Sequence, residues 1–383
     1  MNNKAIIGAN IFDAEKTHKN SALLLSDGKI VAIVADHEVP SEYEVISVDG
    51  GTLTPGFIDL QVNGGGGVLL NDEPTIDGIR TICDAHAKFG TTSLLPTLIT
   101  DDFDNTKRAI EAGIEAHKQN VPGFLGLHLE GPHLSTQKKG AHDPSLIRKM
   151  TDEDVKLLID GCKNLPNLMI TVGIETVTLQ QIKVLSEANI IVSLGHTNCT
   201  YEQAVEASES GATCATHLFN AMSPLTHREP GLVGAAINEG AFFCGLIADG
   251  HHVHPAPLSI ALAAKRGPGK AFLVTDAMST IGTDLTSFTL NDRTIYRNNG
   301  ILTLENGTLA GADLDMISAV LNIQKLTDMD PEEAIRMATL YPAQCMGISG
   351  HIGTLNSGAS ADIIHIGTKN EIKNVWRRGQ QLH

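Results

Sequence analysis

The sequence predicts an α/β chain: a (β/α)8 TIM-like barrel with a small β-sandwich module built from both chain ends. Two patterns predict it. Through the middle of the chain, short and nearly continuous apolar runs alternate with stretches of helical spacing, as buried parallel strands and their crossover helices do. Both chain ends read as β. A third observation fits the barrel, because polar and ionisable residues recur where the apolar runs stop. In a parallel barrel every strand ends on the same face, so these residues converge there.

The elements follow in order. Ser21–Ser26 and Lys29–Ala35 are apolar runs split by Asp27-Gly28, a dipeptide suited to a two-residue hairpin turn. The eight runs expected as barrel strands are Phe57–Val62, Ser93–Leu98, Gly123–Leu129, Leu168–Ile174, Ile190–Leu194, Thr213–His217, Phe242–Ile247 and Ala271–Val274. Helical spacing lies between them, for example over Ile76–Phe89, Phe103–Gln119 and Asp152–Cys162. Residues 287–309 break the alternation as a β excursion, and helices near Leu314–Leu326 and Pro331–Met346 close the barrel. Ala361–Ile366 and Lys373–Gly379 are β-like again. This assigns 1–54 and 350–383 to the small module and 55–349 to the barrel. A doubly wound open sheet is the alternative, but no G-x-G-x-x-G opens a helix after a strand.

Composition narrows the function. The 383 residues are 42% hydrophobic, with 37 Gly and 15 Pro, which fits a large core cut by many turns. A formal charge of −16 argues against non-specific binding to nucleic acid or an anionic membrane. An anionic substrate must therefore meet a local cluster of positive groups. The N-terminus shows no secretory pattern, and no apolar stretch approaches the ~18 residues of a membrane span. Six scattered cysteines without a C-x-x-C pair read as reduced thiols, so a cytoplasmic protein is expected.

The polar groups at the run ends are Asp59, Gln61 and Asn63, then Glu130, His196, His217, Asp249, His252 and Asp276. Two histidines and a carboxylate with one open position make a common catalytic metal set. Glu130, His196 and His217 supply it, and imidazole with carboxylate suits Zn²⁺ or Fe²⁺ alike. Such an ion acidifies water and polarises a carbonyl. Asp276, following Phe272–Thr275, is placed as the general base that later returns the proton to a leaving amine; the alternative is a helix N-cap.

Thr54-Pro55-Gly56-Phe57-Ile58-Asp59, histidines at the fifth and sixth run ends and Thr275-Asp276-Ala277 at the eighth resemble the amidohydrolase superfamily. Within it, HLEGPHLSTQKKGAHDP (128–144), GHTNCTYEQA (195–204), THLFNAMSPLTHREPGLVGA (216–235), IADGHHVHP (247–255), LVTDAMS (273–279) and LAGADLDM (309–316) are similar to deacetylases of N-acetyl amino-sugar 6-phosphates. The superfamily often has H-x-H on the first strand, where this chain has Gln61-Val62-Asn63. Amides are poor transition-metal ligands, so the resemblance implies one divalent metal per subunit, with the amides orienting water or substrate.

The resemblance also implies the remaining roles. His142 would polarise the acyl carbonyl beside the metal. Asn220 and Ala221 would contact the sugar phosphate, and Arg228 and His252 would hold its phosphate. Arg228 would reach in from a neighbouring subunit, which implies a homodimer. Leu309, Ala310 and Gly311 would line the acetamido side, and Gln61 and Ala141 complete the expected substrate contacts. The implied reaction removes the acetyl group from N-acetyl-D-glucosamine 6-phosphate, giving D-glucosamine 6-phosphate and acetate. The galactosamine isomer is the alternative substrate. A silent sugar-phosphate-binding barrel is the alternative class, against which the intact Glu130, His196, His217 and Asp276 argue. Gly64–Gly67 lacks the Lys-Ser/Thr of a phosphate-binding P-loop and reads as a flexible loop.

Overall fold

The computed structural model describes residues 3–291 and 293–382. Eight parallel strands pair in sequence order: β1 (Phe57–Val62), β2 (Thr91–Ile99), β3 (Leu127–Glu130), β4 (Leu168–Val172), β5 (Ile191–Leu194), β6 (Ala212–Ala215), β7 (Phe243–Leu246) and β8 (Ala271–Leu273). All are apolar runs of the expected kind: β1 matches its run, β2 is longer, and the other six are somewhat shorter because residues at the run ends turn out of the ladder. Helices follow the strands, and their starts are set by side chains. Asp102, Thr151, Thr178 and Thr200 each accept from a first-turn amide, satisfying donors that a helix N-terminus leaves free.

The ring closes between β1 and β8 at the carboxyl ends of the strands. Asp276 N–H donates to the Gln61 carbonyl at 3.0 Å and Asn63 N–H to that of Ala277 at 2.9 Å. Asp59 stitches the seam from within β1. Its carboxylate accepts the Thr275 hydroxyl at 2.5 Å, the Thr275 amide at 3.3 Å and the Gln61 amide at 3.2 Å. Burial pushes the Asp59 carboxyl up to about 7 against the pull of these donors. Asp59→Ala strands three buried donors, each costing about 1–3 kcal/mol. We expect a denaturant midpoint lowered by an amount equivalent to at least ~3 kcal/mol, at unchanged slope.

The β excursion is a three-stranded antiparallel sheet, β9 (Ser287–Leu290), β10 (Arg293–Asn298) and β11 (Ile301–Leu304). The long closing helix expected over Pro331–Met346 is two helices, Pro331–Ala338 and Leu340–Cys345, broken at Thr339 (φ −132°, ψ −80°). Pro342 has no amide proton for the Ala338 carbonyl, and the Thr339 hydroxyl bonds back to the Ile335 carbonyl at 2.7 Å.

The chain ends form two sheets. One has four strands, in the order Lys29–Ala35, Ser21–Ser26, Lys4–Ile7, Glu44–Ser47. The other has six and pairs Thr52–Pro55 from the first end antiparallel with Ile363–Ile366 from the last. Ile6, Leu23, Leu25, Leu53, Ile363 and Trp376 pack into one core there. The Asp27-Gly28 hairpin forms as expected, with both residues at positive φ (48° and 78°). Gly64 and Gly65 differ from the sequence reading. They are buried in a two-stranded hairpin with Val68–Leu69, and the Gly64 carbonyl meets His86 Nε2 at 2.9 Å. A Cβ on Gly64 would lie 2.3 Å from the Val68 carbonyl oxygen, so close packing, and not freedom to move, calls for glycine. Among the described residues no helix is long and apolar enough to cross a membrane.

Candidate active site

Three turns at the mouth of the barrel aim the chemistry inward. His196 follows β5, His217 follows β6 and Asp276 follows β8, and each is left-handed, with φ of 46°, 29° and 52°. For residues with a Cβ this conformation costs about 1–3 kcal/mol and persists only where surrounding contacts enforce it. Here those contacts are identifiable: the His196 carbonyl accepts from Ser135 N–H at 2.8 Å, and Asp276 is tied across the β1–β8 seam.

The two imidazoles meet the carboxylate of Glu130, the last residue of β3. Glu130 Oε1 lies 3.2 Å from His196 Nε2 and 3.0 Å from His217 Nε2, and the two nitrogens are 3.1 Å apart. All three side chains are buried. The Lys138 carbonyl sits 2.8 Å from His196 Nδ1. A carbonyl can only accept, so Nδ1 carries the proton and the Nε2 lone pair faces the centre. Three such atoms this close require a proton or a cation between them, and the donor set fits a divalent metal. Burial alone would raise Glu130, but its hydrogen bonds to His196 and His217 outweigh that and hold it well below the usual carboxylate range. Burial alone would lower His217, yet the Glu130 carboxylate keeps it above its ordinary value.

His142 is a fourth nearby donor. Glu130, His142 and His196 offer ligand atoms within 4.8 Å of one another, and His142 Nε2 stands 3.9 Å from Glu130 Oε2. Its hydrogen bonds point to a different part. The Thr100 amide donates to His142 Nδ1 at 3.4 Å, and the Thr100 hydroxyl lies 2.8 Å from the same atom. That tautomer puts the proton on Nε2, a donor and not a ligand. Burial and the neighbouring His196 push the His142 imidazole down to about 3, so it is neutral.

Asp276 is held by the two amides on β1 and just past it. Asn63 Nδ2 donates to its Oδ1 at 2.7 Å, and Gln61 Nε2 donates to the same oxygen at 3.1 Å and to Glu130 Oε1 at 3.1 Å. Gln61 therefore lies beneath the site, bridging its two carboxylates, and is not on the cavity wall. Burial, and then the charge of Glu130, raise the Asp276 carboxyl to about 6.

A cavity of about 240 Å³ opens above this centre. Its wall brings together Glu130, Ala141, His142, His196, His217, Asn220, Ala221, His252, Asp276 and the run Leu309–Gly311. His252 Nδ1 is 2.6 Å from Asp249 Oδ2, which turns its Nε2 away from Asp249. Arg228 is not part of the wall. It lies on an exposed loop over residues 224–229, and its neighbour Glu229 bonds instead to the Tyr201 and Gly231 amides. Sequence reasoning missed Thr100 and the apolar wall of Ile99, Met278 and Leu290. An apolar residue, whether it ends a barrel strand like Ile99 or an excursion strand like Leu290, carries no signal that it faces a cavity.

The model of the amidohydrolase family matches residues 52–382. The chain belongs to that family. This amidohydrolase is 39% identical to the N-acetylgalactosamine-6-phosphate deacetylase of Shewanella sp. (strain ANA-3), over 98% of this chain and 95% of the relative. It is 36% identical to the N-acetylglucosamine-6-phosphate deacetylase of Haemophilus influenzae, over 94% of each. Among solved structures, the N-acetylglucosamine-6-phosphate deacetylase from Pasteurella multocida superposes with a TM-score of 0.95 at 36% identity, covering 99% of both chains. A mutant N-acetyl-D-glucosamine-6-phosphate deacetylase from Mycobacterium smegmatis, solved in complex with N-acetyl-D-glucosamine-6-phosphate, superposes at 0.91 and 27% identity, covering 100% of this chain and 99% of that one.

Proposed function

We propose that this amidohydrolase removes the acetyl group from N-acetyl-D-glucosamine 6-phosphate, releasing acetate and D-glucosamine 6-phosphate. The observation that carries the reading is Glu130 Oε1 within 3.2 Å of both histidine nitrogens, with Asp276 bridged to the same carboxylate through Gln61. Relatives with that named activity span nearly the whole chain. Glu130, His196 and His217 would hold one divalent ion, Zn²⁺ or Fe²⁺, which when bound acidifies water and polarises the amide carbonyl. Asp276 takes the proton from the attacking water, and as the carbon–nitrogen bond breaks it delivers that proton to the leaving nitrogen. His142 donates from Nε2 to the carbonyl oxygen as negative charge grows there. Gln61 and Asn63 hold Asp276 with one oxygen occupied, leaving the other for the proton.

The phosphate is assigned to His252 and to Arg228, whose exposed loop suits reaching a second subunit in a homodimer. Asn220 and Ala221 would contact the sugar phosphate, and Leu309–Gly311 would flank the acetamido group. The free thiols of all six cysteines fit a cytoplasmic enzyme. The galactosamine isomer is the second reading, favoured by the Shewanella relative at 39% identity. Acetate release from the two sugar phosphates, measured side by side, decides between them. Equal hydrolysis of unphosphorylated N-acetylglucosamine would remove the phosphate assignment altogether. Arg228→Ala is expected to raise KM for the phosphorylated sugar ~10–100-fold with little change in kcat, as loss of a charge-assisted contact made equally in ground and transition states does.

A further inference from the structure

Residues 136–142 cross the mouth of the barrel as a strap that carries two parts of the site. The Lys138 carbonyl fixes the tautomer of His196 at 2.8 Å, and His142 hangs from the far end. The strap has little regular structure of its own: a short 3-10 turn over Thr136–Lys138, then Gly140 at φ +56°. Thr100 holds the His142 ring at the far end, and the strap backbone beside it is held from 152 residues away. Arg293, at the start of β10, sends Nη2 to the Ala141 carbonyl at 2.6 Å. Among the described residues this is the one hydrogen bond joining the excursion sheet to the strap. Ala141 also packs against the apolar cluster that contains Ile99, Met278, Leu290 and Ala310, so the strap and the cavity wall share one apolar cluster. On the outer side a groove of about 650 Å³, lined by Lys139, Gly140, Arg293, Tyr296 and Thr308, leaves the strap exposed to solvent.

We infer that Arg293 is a positioning residue: its bond to the Ala141 carbonyl clasps the strap down and so sets His142 and the Lys138 carbonyl in register with Glu130 and His196. A guanidinium–carbonyl bond is charge-assisted and directional, whereas the apolar contacts of Ala141 alone permit sliding. The consequence for turnover rests on the role proposed for His142, but the clasp itself does not. Misplacing a catalytic group by about 1 Å costs about 10²-fold in rate.

The test compares metal-loaded parent, Arg293→Met and Arg293→Lys by trypsin nicking after Lys138 and Lys139, and by kcat and KM. Arg293→Met is expected to be nicked about tenfold faster, in line with loss of one charge-assisted hydrogen bond. Its kcat should fall about 10²-fold with KM nearly unchanged, and it should release metal to a chelator sooner. Arg293→Lys keeps one donor and should fall between the other two. If the Met variant does not fold, the Lys variant carries the same comparison. Nicking at the parental rate in the variants overturns the clasp, and so does a rise in KM alone, which would make Arg293 a substrate contact. Should the parent hydrolyse neither sugar phosphate, the proposed function fails while the nicking comparison still decides the clasp.

Discussion

Asp276→Asn should lower kcat by about 10³-fold while leaving fold and metal content intact, an effect of the size general acid–base groups produce. The substitution is isosteric, and the structure shows why it is clean. Gln61 and Asn63 both donate to Asp276 Oδ1. An asparagine can keep its carbonyl oxygen there and turn its amide toward the cavity, so neither buried donor is orphaned. What disappears is the capacity to take a proton from water and return it to nitrogen. A variant retaining parental turnover would remove Asp276 from proton transfer. The pH profile gives an independent check. Asp276 must be ionised to act, so activity falls as pH drops through its pKa. Burial and the Glu130 charge raise that value to about 6, and a divalent ion draws it back down. The acid limb of kcat/KM in the loaded enzyme is therefore expected at or below about pH 6, and it should vanish from the residual activity of Asp276→Asn.

Residues legible in the sequence were those whose neighbours announced a strand end. Glu130, His196, His217 and Asp276 each close an apolar run, and a parallel barrel brings run ends together whatever their separation. Illegible were the contacts that depend on which strands become neighbours and where loops lie. Gln61 and Asn63 read as groups for water or substrate, because barrel closure implies that β1 meets β8 but no local signal shows that both amides then donate to Asp276. Arg293 looks like any charged residue on an exposed sheet until its contact with Ala141 is seen. Thr100 is one threonine among many until it fixes the His142 tautomer. The break at Thr339 was readable in principle from Pro342, but the helical period on either side masks it.

Glu130→Gln should bring the metal content from one equivalent per chain to near zero and take turnover with it, a loss expected to match or exceed that of Asp276→Asn. Glu130 is the negative member of the set, and its Oε1 lies within 3.2 Å of both histidine nitrogens. A neutral amide keeps the volume and the Gln61 contact but removes the charge that draws a dication into a buried site. Chelation of the parent should act alike and be reversible: an ion that binds only the folded chain adds about 2.7 kcal/mol of stability at a hundredfold excess over Kd. Stripping it should lower Tm, and adding it back should restore both Tm and turnover. In Glu130→Gln the chelator should move neither. An active Glu130→Gln enzyme with a full complement of metal would show that the ion sits elsewhere, with Glu130 as a hydrogen-bonding partner of the two histidines. The His142 tautomer argues against the nearest alternative ligand, since its Nε2 proton faces the centre where a lone pair would be needed.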